Sequence, residues 1–400
     1  MTPFAGKRVL LGVTGGIACY KAVPLARLLA QAGAEVDVVL TRSAREFIGD
    51  VTFEAVTGRP VHSELHGAGH ALDHIKLPRA ADLLVVAPAT ADFLARAAQG
   101  RADDLLAAAL LANVAPVLLV PAMNDRMWAH PQTGNNVRHL RALGYAVLDP
   151  ADGPLAVGEG SGPGRMPEPD VIAAHCGRLL EAPRLRGMRV LVTAGPTREA
   201  VDPVRYLSNH SSGKMGAAVA AAAWARGADV VLVHGPMTAA VPVGVRAVPV
   251  TTTAELCAAV RAEIGAADVV VMAAAPADFT PAAPAPQKLK KADGPAALPL
   301  APTVDVLVAT RDARKAGAIV VGFALETTAV VESARGKLVA KGLDMVVAND
   351  ATEAGAGFGG DTNRVTFVVP DGPPEPLPLL PKRDVAAAIL DRVEALRRGR

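Results

Sequence analysis

The stretch "KRVLLGVTGGIACYKAVPLARLLAQAGAEVDVVLTR", Lys7 to Arg42, decides the fold. A short apolar run, "KRVLLGV", breaks at a threonine and two glycines. A helix-like pattern, "AVPLARLLAQAG", follows, and a second apolar run, "AEVDVVLTR", closes the unit. Val/Leu runs without polar alternation suit parallel strands covered on both faces. Gly33 stands where the residue after a helix C-cap should. Strand, glycine-bearing turn, helix, glycine, strand is a βαβ unit.

The pattern returns later in the chain. "MRVLVTAGPTRE", "SSGKMGAAVAAAAWARG" and "ADVVLVHGP" repeat the order, with Gly227 ending the helix. Further apolar runs trail each unit. In the first half they are "ADLLVVAPAT" (81–90), "APVLLVPAMN" (115–124) and "YAVLDP". In the second half they are "VRAVPV", "ADVVVMAAAPADF" (267–279), "AIVVGFALE" (318–326), "LDMVVAND" (343–350) and "RVTFVV". The fold class expected is α/β, as two doubly wound Rossmann-like domains. The polar, proline-bearing "EAPRLRG" (181–187) reads as their boundary. That gives a first domain over 1–181, a linker over 182–187 and a second domain over 188–400.

Bulk properties narrow the function. The 400 residues suit two domains of ordinary size. With 51% hydrophobic and 20% charged residues, the chain is globular, not disordered. A net charge of +2 argues against nucleic-acid binding as the main task, and 3% aromatics leave few platforms for stacking bases. Cys19, Cys176 and Cys257 are too far apart for a metal or disulfide spacing, which suits a reducing, cytoplasmic setting. The first residues run straight into a strand, with no secretion signal, and no apolar run reaches membrane-spanning length.

Open α/β sheets bind ligands at the carboxyl ends of their strands. In the first half those ends carry small or hydroxylic residues: Gly15 and Gly16 after Thr14, Thr41 and Ser43 in "LTRSA", Ala89 and Thr90 in "APATADF". The turn lacks GxGxxG, so a mononucleotide suits it better than a dinucleotide. Asn124, in "PAMNDRMW", is either a turn residue or an amide donor to a carboxylate. His70 and His74, in "GHALDHIKL", are either structural histidines or include a catalytic base.

"GVTGGIACYK", "DHIKL", "APATAD", "PAMNDRMW" and "GPGRM" stand in the order and spacing of flavin-dependent cysteine decarboxylases. Over its whole length the chain resembles the bacterial bifunctional family of coenzyme A synthesis, a phosphopantothenoylcysteine decarboxylase fused to a phosphopantothenate–cysteine ligase. The resemblance implies FMN in the first domain, His74 as base or substrate orienter, and Asn124 holding the carboxylate that is lost. It makes "PLAVGEGSGPGRMPEPD" (154–170) a substrate lid ending in Gly164, Arg165 and Met166. One departure stands out. The family's lid carries a proton-donating cysteine where this chain has Val157, with Glu159 and Ser161 as nearby substitutes. The alternative is therefore an active ligase whose first domain stops at oxidative decarboxylation or serves as a flavin-binding scaffold.

In the second half, "TAGPTREAVDPVRYLSNHSSGKMG" (193–216) is the densest motif. A helix cap at Ser211 or Ser212 explains one serine; the arginines, Asn209, His210 and the Ser-Ser-Gly-Lys helix start together suggest an anion site. It is not a Walker A loop. "AAAPADFTPAAPAPQKLKK" (273–291) reads as a loop pairing Asp278 with Lys288, Lys290 and Lys291, either a solvated face or a neutraliser of phosphate oxygens. Phe323, Glu326, Asn349, Asp350, Asp361 and Asn363 end further strands. Lys337 and Lys341, four apart, share a helix face.

These features resemble the ligase half of the same family. The resemblance implies that CTP, with Mg²⁺, activates the carboxylate of 4′-phosphopantothenate as an acyl-cytidylate. Cysteine then displaces CMP to give 4′-phosphopantothenoylcysteine. It assigns Lys288 to the activation step and Asn209 to the attack of cysteine. Nucleotide contacts fall on Met272, Ala273, Ala274 and Asp278, on Val304, Asp305, Val306 and Leu307, and on Lys288, Phe323, Lys337 and Lys341. Val304 replaces a family proline, while Asp305 persists. No dedicated Mg²⁺ ligand cage is legible. The resemblance also implies a homo-oligomer, with trimer-based first domains and dimeric second domains, and neither nucleic acid nor membrane as a partner.

Overall fold

The computed structural model describes residues 3–67, 70–154, 158, 160–290, 297–350, 353, 357 and 359–399. It divides into two compact units, Met1–Ala182 and Pro183–Arg400.

The first unit is built on β1 (Arg8–Val13), β2 (Glu35–Leu40), β3 (Val61–His62), β4 (Leu83–Ala89), β5 (Val117–Pro121) and β6 (Ala146–Val147). They form one sheet in the order β3-β2-β1-β4-β5-β6, every pairing parallel. β4 is buried at all seven positions, which is why its sequence shows no alternation. On one face, the helix Cys19–Gln31 buries Cys19, Ala22, Leu25, Ala26 and Leu29, a spacing of three and four. On the other lies the helix Leu105–Ala112, apolar all round. It comes so close to the sheet that a Cβ at Gly12, in β1, would stand 2.3 Å from Leu106 Cδ1. Each fully buried leucine here contributes about 1.5–3 kcal/mol relative to exposure.

The stretch expected as a lid has an ordered base. β7 (Ala151–Pro154) pairs antiparallel with β8 (Ser161–Arg165). Met166 is buried in the core beneath it. The buried Lys21 Nζ donates to Met166 O at 2.8 Å and to Glu168 Oε1 at 2.9 Å, tying the hairpin's exit to the first helix. Val157 and Glu159 lie outside the described residues.

The second unit has β9 (Arg189–Ala194), β10 (Arg198–Ala200), β11 (Tyr206–Ser208), β12 (Asp229–His234), β13 (Arg246–Pro249), β14 (Val269–Met272), β15 (Phe279–Pro281), β16 (Leu300–Pro302), β17 (Ile319–Glu326), β18 (Met345–Asp350), β19 (Thr362–Asn363), β20 (Thr366–Val368), β21 (Glu375–Pro376) and β22 (Leu380–Pro381). Its main sheet runs β13-β12-β9-β14-β17-β18-β20-β21. The six strands from β13 to β18 are parallel and repeat the first unit's order, so both units reverse direction beside their first strand. The crevice at that reversal is where such sheets hold ligands. β20 and β21 add antiparallel pairs at one edge.

Three local features differ from expectation. The strand expected over 267–279 ends at Met272, because Ala274 N donates to Thr193 Oγ1 at 3.0 Å and Ala275 N to Gly195 O at 2.9 Å, drawing the chain across the end of β9. The loop expected over 273–291 contains β15, which pairs antiparallel with β16. The helix Lys214–Ala225 is capped by neither serine but by Gly213, at φ +77°, where a Cβ would stand 2.6 Å from Met237 Sδ. No helix among the described residues is long and apolar enough to cross a membrane.

Candidate active sites

In the first unit, hydrogen bonds knit the ends of β1, β2 and β4 into one rim. Thr14 Oγ1 donates to Pro88 O at 2.8 Å and accepts from Thr90 N at 3.0 Å. Thr41 Oγ1 donates to Val13 O and accepts from Ala44 N, both at 3.3 Å, capping the next short helix. Thr90 Oγ1 accepts from Phe93 N at 3.3 Å, capping the helix Ala91–Ala98. Gly15 has no room for a side chain: a Cβ there would lie 2.4 Å from Ser43 Cβ. The turn and the Ser43 loop therefore close on each other. The structure thus gathers Gly15, Gly16, Thr41, Ser43, Ala89 and Thr90 at one edge of the sheet.

Asn124 follows β5. Its Oδ1 accepts from Arg126 N at 2.9 Å, so it does serve as a cap. Its neighbour Met123 donates from its backbone N to Gly164 O at 3.0 Å, which brings the lid hairpin beside it. A Cβ at Gly162 would touch Asp125 at 3.2 Å, so the hairpin lies close along this turn. Arg165 pairs with Glu168 at 2.6 Å and stays partly exposed. Glu168 is held below the ordinary glutamate range by its hydrogen bond from Lys21, aided by both cations' charge. His74 is the second residue of the helix Asp73–Ala80. Its Nδ1 is buried with no hydrogen-bond partner among the described residues. Among the described residues, no hydrogen bond joins it to the strand-end rim.

In the second unit, the ends of β9, β14, β17 and β18 surround a cavity of about 470 Å³. Of the residues expected there, Asn209, Met272, Ala273, Ala274, Asp278, Val304, Asp305, Val306, Leu307, Phe323, Lys337 and Lys341 all line it. Asn209 is locked by its Nδ2, which donates to Ala275 O at 3.1 Å and Pro276 O at 2.9 Å. Lys337 Nζ donates to Phe323 O. Burial, and then the neighbouring Lys341 charge, push the Lys337 ammonium below the ordinary lysine range; Glu326, Asp305 and Asp278 oppose this in part. Lys341 pairs with Asp305 at 2.8 Å. Burial raises the Asp305 carboxyl, but the Lys341 hydrogen bond and the Val308 N–H outweigh it and hold the group low.

Lys288 stands apart. It is exposed and does not line the cavity. The next residue, Leu289, is moored by Asp202 Oδ2, which accepts from Leu289 N at 3.2 Å, and by Arg205 Nη2, which donates to Leu289 O at 2.8 Å.

The Ser-Ser-Gly-Lys helix start, expected as part of an anion site, also lines the cavity. Ser211, Ser212, Gly213, Lys214, Met215 and Gly216 present the start of the helix Lys214–Ala225 to the cavity. Gly216 lets that helix approach, since a Cβ would sit 2.6 Å from Ala194 Cβ. The Ser-Ser-Gly-Lys run signalled this. Lys382, which also lines the cavity, gave no such signal: after Pro381 it reads as a solvated helix start. It is instead 7% exposed, its Nζ donating to Gly360 O at 2.6 Å and Gly357 O at 3.2 Å. Burial and the Lys214 charge lower its proton affinity. Four lysines and a helix N-terminus therefore face two lining carboxylates, Asp278 and Asp305, which suits a polyanion.

Known proteins resemble the chain along its whole length. The family model "Flavoprotein" matches residues 2–180, and "DNA/pantothenate metabolism flavoprotein C-terminal domain" matches residues 185–396. The chain is 44% identical over 394 residues to "Coenzyme A biosynthesis bifunctional protein CoaBC" of Vibrio cholerae serotype O1, covering 98% of each chain. To the protein of that name from Bacillus subtilis (strain 168) it is 44% identical over 397 residues, covering 98% of this chain and 97% of the relative. To that of Mycobacterium tuberculosis (strain H37Rv) it is 46% identical over 403 residues, covering 97% and 96%.

Proposed function

The chain belongs to the coenzyme A biosynthesis bifunctional protein family, a flavin-binding decarboxylase unit joined to a ligase unit, and from that premise we propose the chemistry of each. The second unit joins 4′-phosphopantothenate to cysteine with CTP. The first decarboxylates the product, 4′-phosphopantothenoylcysteine, to 4′-phosphopantetheine with FMN. The observation that carries the ligase reading is the lysine-lined cavity at the strand reversal.

A carboxylate is a poor electrophile. Attack of its oxygen on the α-phosphorus of CTP forms a C–O–P link and releases pyrophosphate. The cysteine amine then attacks the acyl carbon, loses a proton and expels CMP. Lys214, Lys337, Lys341 and Lys382 set positive charge where the triphosphate lies. Asn209, immobilised through its Nδ2, presents its Oδ1 for the second step. Lys288 serves the first step when its loop covers the cavity. Mg²⁺ bound by phosphates, waters and one or two carboxylates fits the donor set, because Asp278 is in no ion pair among the described residues.

The first unit's rim fits FMN on its own geometry. Backbone and hydroxyl groups converge at the Gly15–Ser43 contact, where no side chain could intrude. FMN, when bound, supplies a two-electron oxidation and its reversal. His74 moves a substrate proton, Asn124 orients the departing carboxylate through its amide, and the hairpin ending at Gly164, Arg165 and Met166 excludes water. Likeness over the full length of bifunctional relatives favours complete decarboxylation over an oxidative stop or a scaffold. A cytoplasmic homo-oligomer, with trimer-based first units and paired second units, accompanies this reading.

Purified protein is expected to be yellow and to release FMN. Given 4′-phosphopantothenate, cysteine and CTP, it is expected to form pyrophosphate and an amide; the absence of both sinks the ligase assignment. The mass of the final product tests the first unit. Loss of CO₂ alone means complete turnover, and loss of CO₂ with two hydrogens means an oxidative stop. Val157→Cys restores the thiol at the lid position and is expected to accelerate the reductive half-reaction. If it does not, another group delivers that proton.

A further inference from the structure

His62, His70 and Asp73 lie on the first unit, and none of them belongs to the hydrogen-bonded rim of β1, β2 and β4. His62 ends β3, the edge strand of the sheet; His70 precedes the helix Asp73–Ala80, and Asp73 is its first residue. One ligand-type atom from each lies within 4.8 Å of the others. The Nδ1 atoms of both imidazoles turn to a single oxygen, Asp73 Oδ2, His62 at 3.6 Å and His70 at 2.8 Å. Two of the three side chains are mostly buried, His62 at 18% exposure and Asp73 at 13%; His70, at 51%, stands at the mouth.

We propose that His62, His70 and Asp73 bind one divalent transition-metal ion of the zinc class. Two imidazole nitrogens and a carboxylate are the donors such ions select, with a fourth position left for water. Metal–ligand bonds of about 2.0–2.2 Å place tetrahedral ligands roughly 3.4 Å apart. The His62–Asp73 separation already matches that edge. His70 sits at hydrogen-bond distance and has to move outward by less than an ångström, which its exposure allows. The donors come from a strand end and a helix start, so the sheet and the helix hold two of them in place. An ion here would stand beside His74 without using it.

The test uses the full chain, stripped with a chelator and titrated with Zn²⁺ against a chromophoric competitor. Co²⁺ d–d absorption reports the ligand geometry. The parent is expected to bind one equivalent that His62→Ala and Asp73→Asn lose. The loss should exceed the roughly 10–100-fold that removing a supporting second-layer contact costs. His70→Ala, at an exposed position, checks the site without threatening the fold. Circular dichroism and flavin content confirm that each variant is intact. Parent and variants binding Zn²⁺ with the same stoichiometry and affinity would overturn the proposal, as would a Co²⁺ spectrum identical in all four. Metal occupancy is read directly, so the outcome does not depend on the reaction assigned to this unit.

Discussion

His74→Asn is expected to slow CO₂ release by about 10²–10⁴-fold, the range that a positioned proton-transfer group contributes. Pyrophosphate release should be unchanged, because the cavity proposed for CTP belongs to the other unit. A buried atom gives the reason. His74 Nδ1 lacks a hydrogen-bond partner among the described residues, and such an orphan costs about 1–3 kcal/mol. A purely structural histidine would have paired it with a neighbour. A histidine reserved for a substrate leaves it unpaired until the substrate arrives. The two roles differ in outcome. If His74 is structural, asparagine should leave the decarboxylation rate intact and change thermal stability instead. Measuring CO₂ release, flavin content and melting temperature on one preparation separates them. An unchanged CO₂ rate in a protein that keeps its flavin removes His74 from the chemistry.

Much of this architecture is legible in the sequence because both faces of each parallel sheet are covered. "LLVVAPA" in β4 is buried throughout, and continuous Val/Leu runs separated by helical patterns fit few arrangements besides a covered parallel sheet. Strand ends are legible for a related reason, since small and hydroxylic residues interrupt those runs where the backbone must turn. The antiparallel additions were harder. β15 and β16 have three residues each, include prolines and show no period to read. Lys382 is hidden by distance: it belongs to the cavity only because the C-terminal helix Lys382–Arg398 starts there. His62 and Asp73 are eleven positions apart and meet only when β3 takes the sheet edge. Lys288 shows the converse. Its lysine-rich surroundings advertise a phosphate site, yet the adjacent Leu289 is moored by Asp202 and Arg205, so Lys288 meets the cavity only when that stretch moves.

Lys337→Met is expected to lower kcat/KM for CTP by about 10²–10³-fold, the cost of removing one preorganised group that stabilises developing charge. Lys337 should matter more than Lys341 or Lys214. Lys341 is already offset by Asp305, and Lys214 by Asp361 at 2.6 Å. Lys337 donates to a neutral carbonyl, so its charge remains available to a phosphate. Its pKa is depressed below 10.5 by burial and then by Lys341. The pH dependence follows in sign. The triphosphate prefers the ammonium form, so CTP binding takes up a proton above the lowered pKa, and affinity falls as pH rises through that value. Folding prefers the neutral form, so this residue makes the free protein more stable as pH rises from the lowered pKa to 10.5. Lys337→Arg keeps its charge at every accessible pH and should flatten the affinity profile. CTP titrations across the alkaline range, on parent and both variants, read this directly. A parent profile with no alkaline fall, or a Lys337→Met enzyme with undiminished kcat/KM, would take Lys337 out of the nucleotide site and leave Lys214 and Lys382 to carry the triphosphate.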